Sequence, residues 1–252
     1  MQCSVSVVLI TLNAAAHLEK CLQSCQFADE IVVVDSGSHD ATLEIAQRYG
    51  ARTIEQAWLG FGPQKQFAVD QASHDWVLCL DADEWLSEEL ANNIKAILSY
   101  PQHECYHFAR CNKFMGRFLR HGEGYPDLSL RLFDRRKAHW SDDKVHEYVV
   151  TNSAVGRIAG DLMHESGEDI AHYLNKQNQY TSLQARQMFE NRKNVSLAKM
   201  LLSPLIRFIK FYLVRQGWRD GLPGLVHISI GCMNSFIKYA KLREFYRLEH
   251  VA

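Results

Sequence analysis

The chain has 252 residues, of which 47% are apolar and 23% charged, and its formal net charge is −1. That length can bury one large core with a modest appendage. The composition is ordinary for a globular protein and excludes a disordered or fibrous chain.

The first strand runs over Val5-Ser6-Val7-Val8-Leu9-Ile10 and ends at Thr11, and a helix is expected from about Ala14 to Cys25. Glu30-Ile31-Val32-Val33-Val34-Asp35 is a β-branched run that ends in a carboxylate. A polar loop, Ser36 to Thr42, precedes a helical pattern through Leu43, Ile45 and Ala46. A further helix is expected near Phe61, and Trp76-Val77-Leu78-Cys79-Leu80 reads as a buried strand. Apolar strands alternating with amphipathic helices predict a parallel sheet covered on both faces. Ligands of such sheets bind at the carboxyl ends of the strands. Thr11, Asp35 and Asp81 each stand at one of those ends, so distant residues converge on one crevice.

Asp81-Ala82-Asp83-Glu84 leaves the buried strand. Strand alternation points Asp81 and Asp83 to one side of the backbone. Hard oxygen ligands of this kind suit Mg²⁺ or Mn²⁺ with open coordination positions. The plainer reading of an isolated Asp-x-Asp is a solvated turn. Asp35 could present its carboxylate to a ligand as an acceptor, or it could cap the next helix, which Asp40 or Ser38 could do equally well.

From Arg192 to Arg247 there are eleven Lys or Arg against Asp220 and Glu244, so the tail carries +9 and the rest of the chain −10. Leu, Ile and Phe interleave with these charges, which suits an anionic membrane surface rather than nucleic acid. The uncharged stretch from Gly221 to Ile237 contains Pro223, His227 and Asn234 and falls short of the ~20 apolar residues of a bilayer span. Leu197 to Val214 is cut by Lys199, Pro204, Arg207 and Lys210. Both are expected to lie in the interface, with Leu201, Leu205, Phe208, Ile209 and Tyr212 inserted and Lys199, Arg207, Lys210, Arg215 and Arg219 drawn to the headgroups. Core-facing helices with solvated basic faces are the plainer alternative. The predicted organisation is one domain over 1–190, divided at about 100, then a basic amphipathic helical tail over 191–252.

The seven cysteines include no Cys-x-x-Cys pair. Cys21 and Cys25, at i and i+4 of a helix, could pair or bind metal, and core packing is the plainer role. This usage points to a reducing compartment. The first ten residues read as strand rather than as a leader peptide, which points to a cytoplasmic chain. The sequon Asn194-Val195-Ser196 would then carry no glycan.

Val7-Val8-Leu9-Ile10-Thr11-Leu12-Asn13, Val34-Asp35-Ser36-Gly37-Ser38-His39-Asp40-Ala41-Thr42 and Leu80-Asp81-Ala82-Asp83-Glu84, in this order, resemble the GT-A fold of family 2 glycosyltransferases. Gly60-Phe61-Gly62-Pro63-Gln64-Lys65, the segment Gly124 to Phe133, and Val145-His146-Glu147 are similar to the inner-core lipopolysaccharide or lipooligosaccharide β-1,4-glucosyltransferases. The resemblance implies an α/β fold: a Rossmann-like, mostly parallel mixed sheet with flanking helices and a C-terminal amphipathic helical extension. It implies a metal-dependent, inverting hexosyltransferase that moves glucose from UDP-glucose to an inner-core heptose. Such an enzyme would be peripheral on the inner face of the bacterial plasma membrane.

It also implies roles. Thr11, Asp35, Lys65 and Asp81 would bind the donor, with Lys65 near the diphosphate unless it is a surface residue. Asp83 would bind Mg²⁺ or Mn²⁺, and Asp81 would face the ribose or reach the metal through water. His164, with His146 as the alternative, would complete the shell; a lone histidine is as often structural. Asp127 would be the base, because Pro126-Asp127-Leu128-Ser129-Leu130-Arg131 resembles a Glu-Asp-x-x-Leu-x-Arg pattern with Pro126 in place of the glutamate. Glu123 is the second candidate. Tyr125, Arg131, His146 and Glu147 would lie on the acceptor side, although Arg131 could instead organise the loop.

A polyprenyl-phosphate glycosyltransferase, or a family member with another sugar, shares the first 90 residues of this pattern. A sugar nucleotidyltransferase needs a Gly-rich basic loop after the first strand, where this chain has Leu12-Asn13-Ala14-Ala15-Ala16. A dehydrogenase needs Gly-x-Gly-x-x-Gly there. A binding module without turnover would not need Asp35, Asp83 and Asp127 together.

Overall fold

The computed structural model describes residues 3–143, 147–167 and 169–249. The elements run β1 (Val5–Thr11), α1 (Ala15–Ser24), β2 (Glu30–Asp35), α2 (Thr42–Arg48), β3 (Arg52–Glu55), α3 (Phe61–Asp70), β4 (Trp76–Asp81), β5 (Glu84–Leu86), α4 (Glu88–Ser99), β6 (Cys105–Phe114) and β7 (Arg117–Phe118). They continue as β8 (Asp127–Asp134), β9 (Ala138–Trp140), β10 (Val149–Thr151), β11 (Val155–His164), α5 (Ile170–Glu190), α6 (Leu197–Phe208) and α7 (Gly221–Glu249). A π-helical turn, Ile209–Val214, extends α6, and a 3₁₀ turn, Gly217–Asp220, precedes α7.

The chain divides into two compact units, Met1–Arg110 with Asp127–Glu165, and Cys111–Pro126 with Ser166–Ala252. In the first, the strand order is β3-β2-β1-β4-β8-β6-β11-β5. β1 pairs in parallel with β2 and β4, and β2 with β3. β8 runs antiparallel to both β4 and β6, and β5 antiparallel to β11. The sheet is therefore mixed, parallel at the end built by the βαβ units and antiparallel where β8 enters between β4 and β6.

Alternation along the buried strands sorts side chains to two faces. Val7, Leu9, Val33, Leu78 and Leu80 meet Leu18 and Leu22 of α1 and Leu90, Ile94 and Leu98 of α4. Val8, Val32, Val34, Val77 and Cys79 meet Ala68 and Val69 of α3. Ser87 caps α4, accepting from Leu90 N at 3.2 Å, and Glu88 and Glu89 follow at the positive end of its dipole. All seven cysteines are free thiols. Cys21 and Cys25 are buried, with Cys25 Sγ donating to the Cys21 carbonyl at 3.2 Å, so they serve packing.

In the second unit α7 packs against α5 and α6, with Ala185, Val195 and Leu242 in its apolar core. The boundary lies before α5 rather than at residue 190, and residues 111–126 also belong to this unit. The reason is a buried carboxylate. Asp220 accepts the backbone N–H groups of Arg120 at 2.9 Å and His121 at 2.8 Å. Gly122 N adds a bond to the Arg215 carbonyl at 2.9 Å. Among the described residues, no helix is long and apolar enough to cross a membrane.

Gly160 of β11 fixes the approach of α4. Its φ is +102°, and an added Cβ would lie 2.7 Å from Leu90 Cα. Gly160→Ala is expected to cost roughly 2–5 kcal/mol, combining backbone strain with overpacking. Urea unfolding measures this; a loss under about 0.5 kcal/mol would show that α4 can shift freely.

Candidate functional site

The register of the parallel strands sets the site. Thr11 lies opposite Asp35, and Ile10 opposite Asp81, so the ends of β1, β2 and β4 share one edge. The strand order reverses direction across β1 and β4, where open α/β sheets place their ligand crevice.

Asp35 is 1% exposed. Its Oδ1 accepts Gly37 N at 2.9 Å and Ser38 N at 2.7 Å, and its Oδ2 accepts Ser38 Oγ at 2.6 Å and Thr11 Oγ1 at 2.7 Å. Four donors fill a carboxylate. Burial works against its charge, but these bonds outweigh burial and lower its pKa. Asp35 thus orders the Ser36–Ser38 loop, and a nucleobase N–H would have to displace a hydroxyl to reach it. Capping of α2 falls to Asp40, whose Oδ1 accepts Thr42 N at 3.0 Å.

Asp81 is held between two buried cations. Lys65 Nζ lies 2.8 Å from Oδ1 and Arg131 Nη2 2.8 Å from Oδ2. Burial disfavours the Asp81 charge, yet the two cations hold its pKa well below the usual carboxylate range. Both oxygens are engaged, so in this arrangement Asp81 is a counter-ion rather than a metal ligand. Lys65 is not on the surface; α3 buries it, and it also meets Glu147 Oε1 at 2.9 Å and the Trp140 ring at 4.9 Å. Trp140 Nε1 donates to Cys79 Sγ at 3.4 Å, and burial pushes the Cys79 thiol up to about 12.

Arg131 faces inward as well. Its guanidinium reaches Glu84 Oε1 at 3.0 Å and Ser129 Oγ at 3.0 Å besides Asp81. Burial opposes its charge, and Glu84 with Asp81 raises its pKa. Its Nε and Nη2 are engaged by residues of β8, β4 and β5, and at 4% exposure it offers an acceptor little surface. Glu84 is fully buried and accepts Asp81 N at 3.0 Å. Arg110 Nη1 reaches Glu84 Oε1 at 3.5 Å, while Nη2 lies 2.8 Å from Asp127 Oδ2. Burial opposes the charge of Arg110 too, and Asp127 and Glu84 raise its pKa. Arg110 carried no signal in the sequence, because its partner Asp127 is set opposite it only by the pairing of β6 with β8.

Asp83 and His164 come together through the pairing of β5 with β11, which sets His164 opposite Glu84. His164 Nε2 lies 3.3 Å from Asp83 Oδ2. Among the described residues, no group of three or more His, Cys, Asp or Glu could hold a metal by itself. One carboxylate and one imidazole suit a hard cation that takes its remaining ligands from a diphosphate or water. His146 lies outside the described residues.

Glu147 is paired with Lys65. Glu123 and Tyr125 fall in the second unit. There Glu123 is ion-paired with Arg207, and the Tyr125 carbonyl accepts Arg215 Nη2 at 2.8 Å. Glu123 is also the less accessible of the two candidate bases, its side chain 17% exposed against 41% for Asp127.

Comparison with known proteins gives a consistent picture. The family model for glycosyl transferase family 2 matches residues 6–159. The chain is 32% identical, over 97% of its length and 94% of the relative's, to the lipopolysaccharide core biosynthesis glycosyltransferase LpsC of Rhizobium meliloti. It is 31% identical to an uncharacterized glycosyltransferase of Rickettsia felis, over 95% of this chain and 89% of that one. The crystal structure of S. aureus TarS 1-349 superposes with a TM-score of 0.50 at 15% identity, covering 98% of this chain and 92% of that one, a likeness of fold.

The charge on Asp81 links stability to pH. Its pKa is depressed in the folded state, so below about pH 4 the unfolded chain takes up the proton first and stability falls. Asp81→Asn should flatten this acid limb. At neutral pH it should cost roughly 1–3 kcal/mol, because Lys65 keeps Glu147 and Arg131 keeps Glu84. Denaturant titrations from pH 3 to 7 test this; an unchanged acid limb would assign it to other carboxylates.

Proposed function

We propose that this chain, which belongs to glycosyltransferase family 2, is an inverting hexosyltransferase. It takes the sugar from a UDP-sugar, UDP-glucose in the first instance, and places it on a lipid-anchored glycan, an inner-core heptose of lipopolysaccharide. The observation that carries this reading is Asp83 facing His164 at 3.3 Å, beside the carboxyl ends of the strands that bear Thr11, Asp35 and Asp81. The likeness to LpsC, whose name places it in lipopolysaccharide core biosynthesis, supports the acceptor class.

Asp83 and His164 would hold Mg²⁺ or Mn²⁺. A divalent cation bound there supplies Lewis-acid neutralisation of the departing diphosphate. The Asp35-ordered loop and Thr11 form the wall for the nucleoside. Lys65, anchored by Asp81 and Glu147, contributes fixed positive charge on the donor side. Asp127 accepts the proton of the acceptor hydroxyl as its oxygen bonds to the anomeric carbon. The bond from that carbon to the UDP oxygen breaks, and UDP leaves with the electron pair. One displacement inverts the anomeric centre and gives a β-linked product from an α-linked donor. Asp127 is 41% exposed at its side chain, so an acceptor can approach it, and Arg110 fixes its direction. Such an enzyme works as a peripheral protein on the cytoplasmic face of the inner membrane, where its acceptor is anchored.

Two variants separate these roles. Asp83→Ala should abolish turnover and the Mn²⁺-dependent thermal shift with UDP while leaving the fold intact; full activity in excess EDTA would overturn the metal assignment. Asp127→Asn should retain UDP-sugar binding and lose roughly 10²–10⁴ in kcat. Wild-type kcat in that variant would place the base elsewhere. A screen of nucleotide sugars with Mn²⁺ by thermal shift identifies the donor, and stabilisation by none of them would overturn the reading as a whole.

A further inference from the structure

Helix α6 and the π-helical turn that extends it carry apolar side chains outward. Leu201, Leu202, Leu205, Ile206, Ile209 and Val214 are between 44% and 72% exposed, and none of the residues in either segment is buried. The inward side holds the polar group. Arg207 Nε donates to Glu123 Oε2 at 3.0 Å, and its Nη1 to Ser235 Oγ at 3.0 Å. Phe208 and Tyr212, expected among the inserted residues, stack on each other at 4.9 Å and are half-buried. A helix that faces water does the reverse, and a continuous apolar patch of this kind marks a contact surface.

Charge identifies the partner. From Asn191 to Arg219 there is no carboxylate, whereas Lys193, Lys199, Lys210, Arg215 and Arg219 add positive charge. The run ends at Asp220, which is buried. Trp218 is 54% exposed, an amphipathic ring of the kind that sits at headgroup level. Within the face is a recess of about 520 Å³, lined by Lys199, Ser203, Arg207 and Lys210 on its polar side and by Leu202 and Phe211 on its apolar side. Glu123 neutralises Arg207, so Lys199 and Lys210 give the recess its excess positive charge. A second copy of the chain would bring like charges together in a self-complementary contact. A layer of anionic headgroups over acyl chains matches both properties.

We propose that the outward face of α6 docks on an anionic phospholipid bilayer, with one lipid phosphate seated between Lys199 and Lys210. The leucine and isoleucine side chains enter the acyl boundary. This rests on the proposed function in that a lipid-anchored acceptor gives the contact its use.

Flotation of the full-length protein tests the proposal, using vesicles of phosphatidylcholine alone or mixed with phosphatidylglycerol, at low and high salt. Wild type should float with the mixed vesicles at low salt and not with phosphatidylcholine alone. Lys199→Gln with Lys210→Gln should weaken partitioning roughly 25-fold, about fivefold per lysine. Leu205→Ser with Ile206→Ser should stay in the soluble fraction. Both pairs should keep the wild-type melting curve and the wild-type hydrolysis of donor. The lysine pair, wholly on the surface, serves alone if the serine pair misfolds. Wild type that remains soluble with every vesicle overturns the proposal, as does a dimer in light scattering that the serine pair dissociates. Inorganic phosphate that protects the recess without any flotation also overturns it. A protein that floats as described but turns over no nucleotide sugar leaves the docking face standing and overturns the proposed function instead.

Discussion

The site depends on a chain of alternating charge, buried at Lys65, Arg131 and Glu84 and open to solvent at Asp127. Glu147, Lys65, Asp81, Arg131, Glu84, Arg110 and Asp127 follow one another, each ion-paired with the next at 2.8 to 3.5 Å. Moving any of these groups out of water is costly, and each is tolerable because opposite charge flanks it. The chain joins α3, the end of β4, the start of β5, and the facing strands β6 and β8. It therefore fixes the relative position of Lys65 and Asp127. Asp83 and His164, the pair proposed to hold the cation, stand outside this chain.

Much of the donor half was legible in the sequence because its determinants are local. A β-branched run followed by a polar residue places that residue at a strand end, and Thr11, Asp35 and Asp81 stand where that logic sets them. What their side chains do there was less legible. Asp35 reads in sequence as a free acceptor, but Gly37 and Ser38 are close enough in sequence to fill it. Arg131 reads either as an acceptor contact or as an organiser of its loop, and strand β8 turns it towards Glu84. Periodicity carries no information about partners across strands, and His164 meets Asp83 only because β11 pairs with β5. Arg110 was missed for the same reason: its meaning depends on Asp127 opposite it.

The second unit shows the opposite failure. Composition alone marked the tail as basic and apolar, but the organisation of 191–252 as a separate appendage did not account for Asp220, whose carboxylate binds the backbone of residues 120 and 121. Nor could spacing alone reveal which side of α6 faces out. A helical wheel assigns Arg207 to the solvent with the other cations, whereas Glu123 draws it inward. An ion pair with a residue 84 positions away thus sets the rotation of the helix and exposes its leucines.

The alternating chain at the site also constrains how the protein can change through descent. A neutral or reversed charge at an interior member, such as Asp81 or Arg131, leaves two neighbours short of a partner at once. Tolerated drift at these positions must then arrive as linked exchanges between adjacent members, while the two ends, Glu147 and Asp127, each have one neighbour within the chain of charges. Divergence in specificity among descendants should accordingly collect at the ends of the chain and spare its middle.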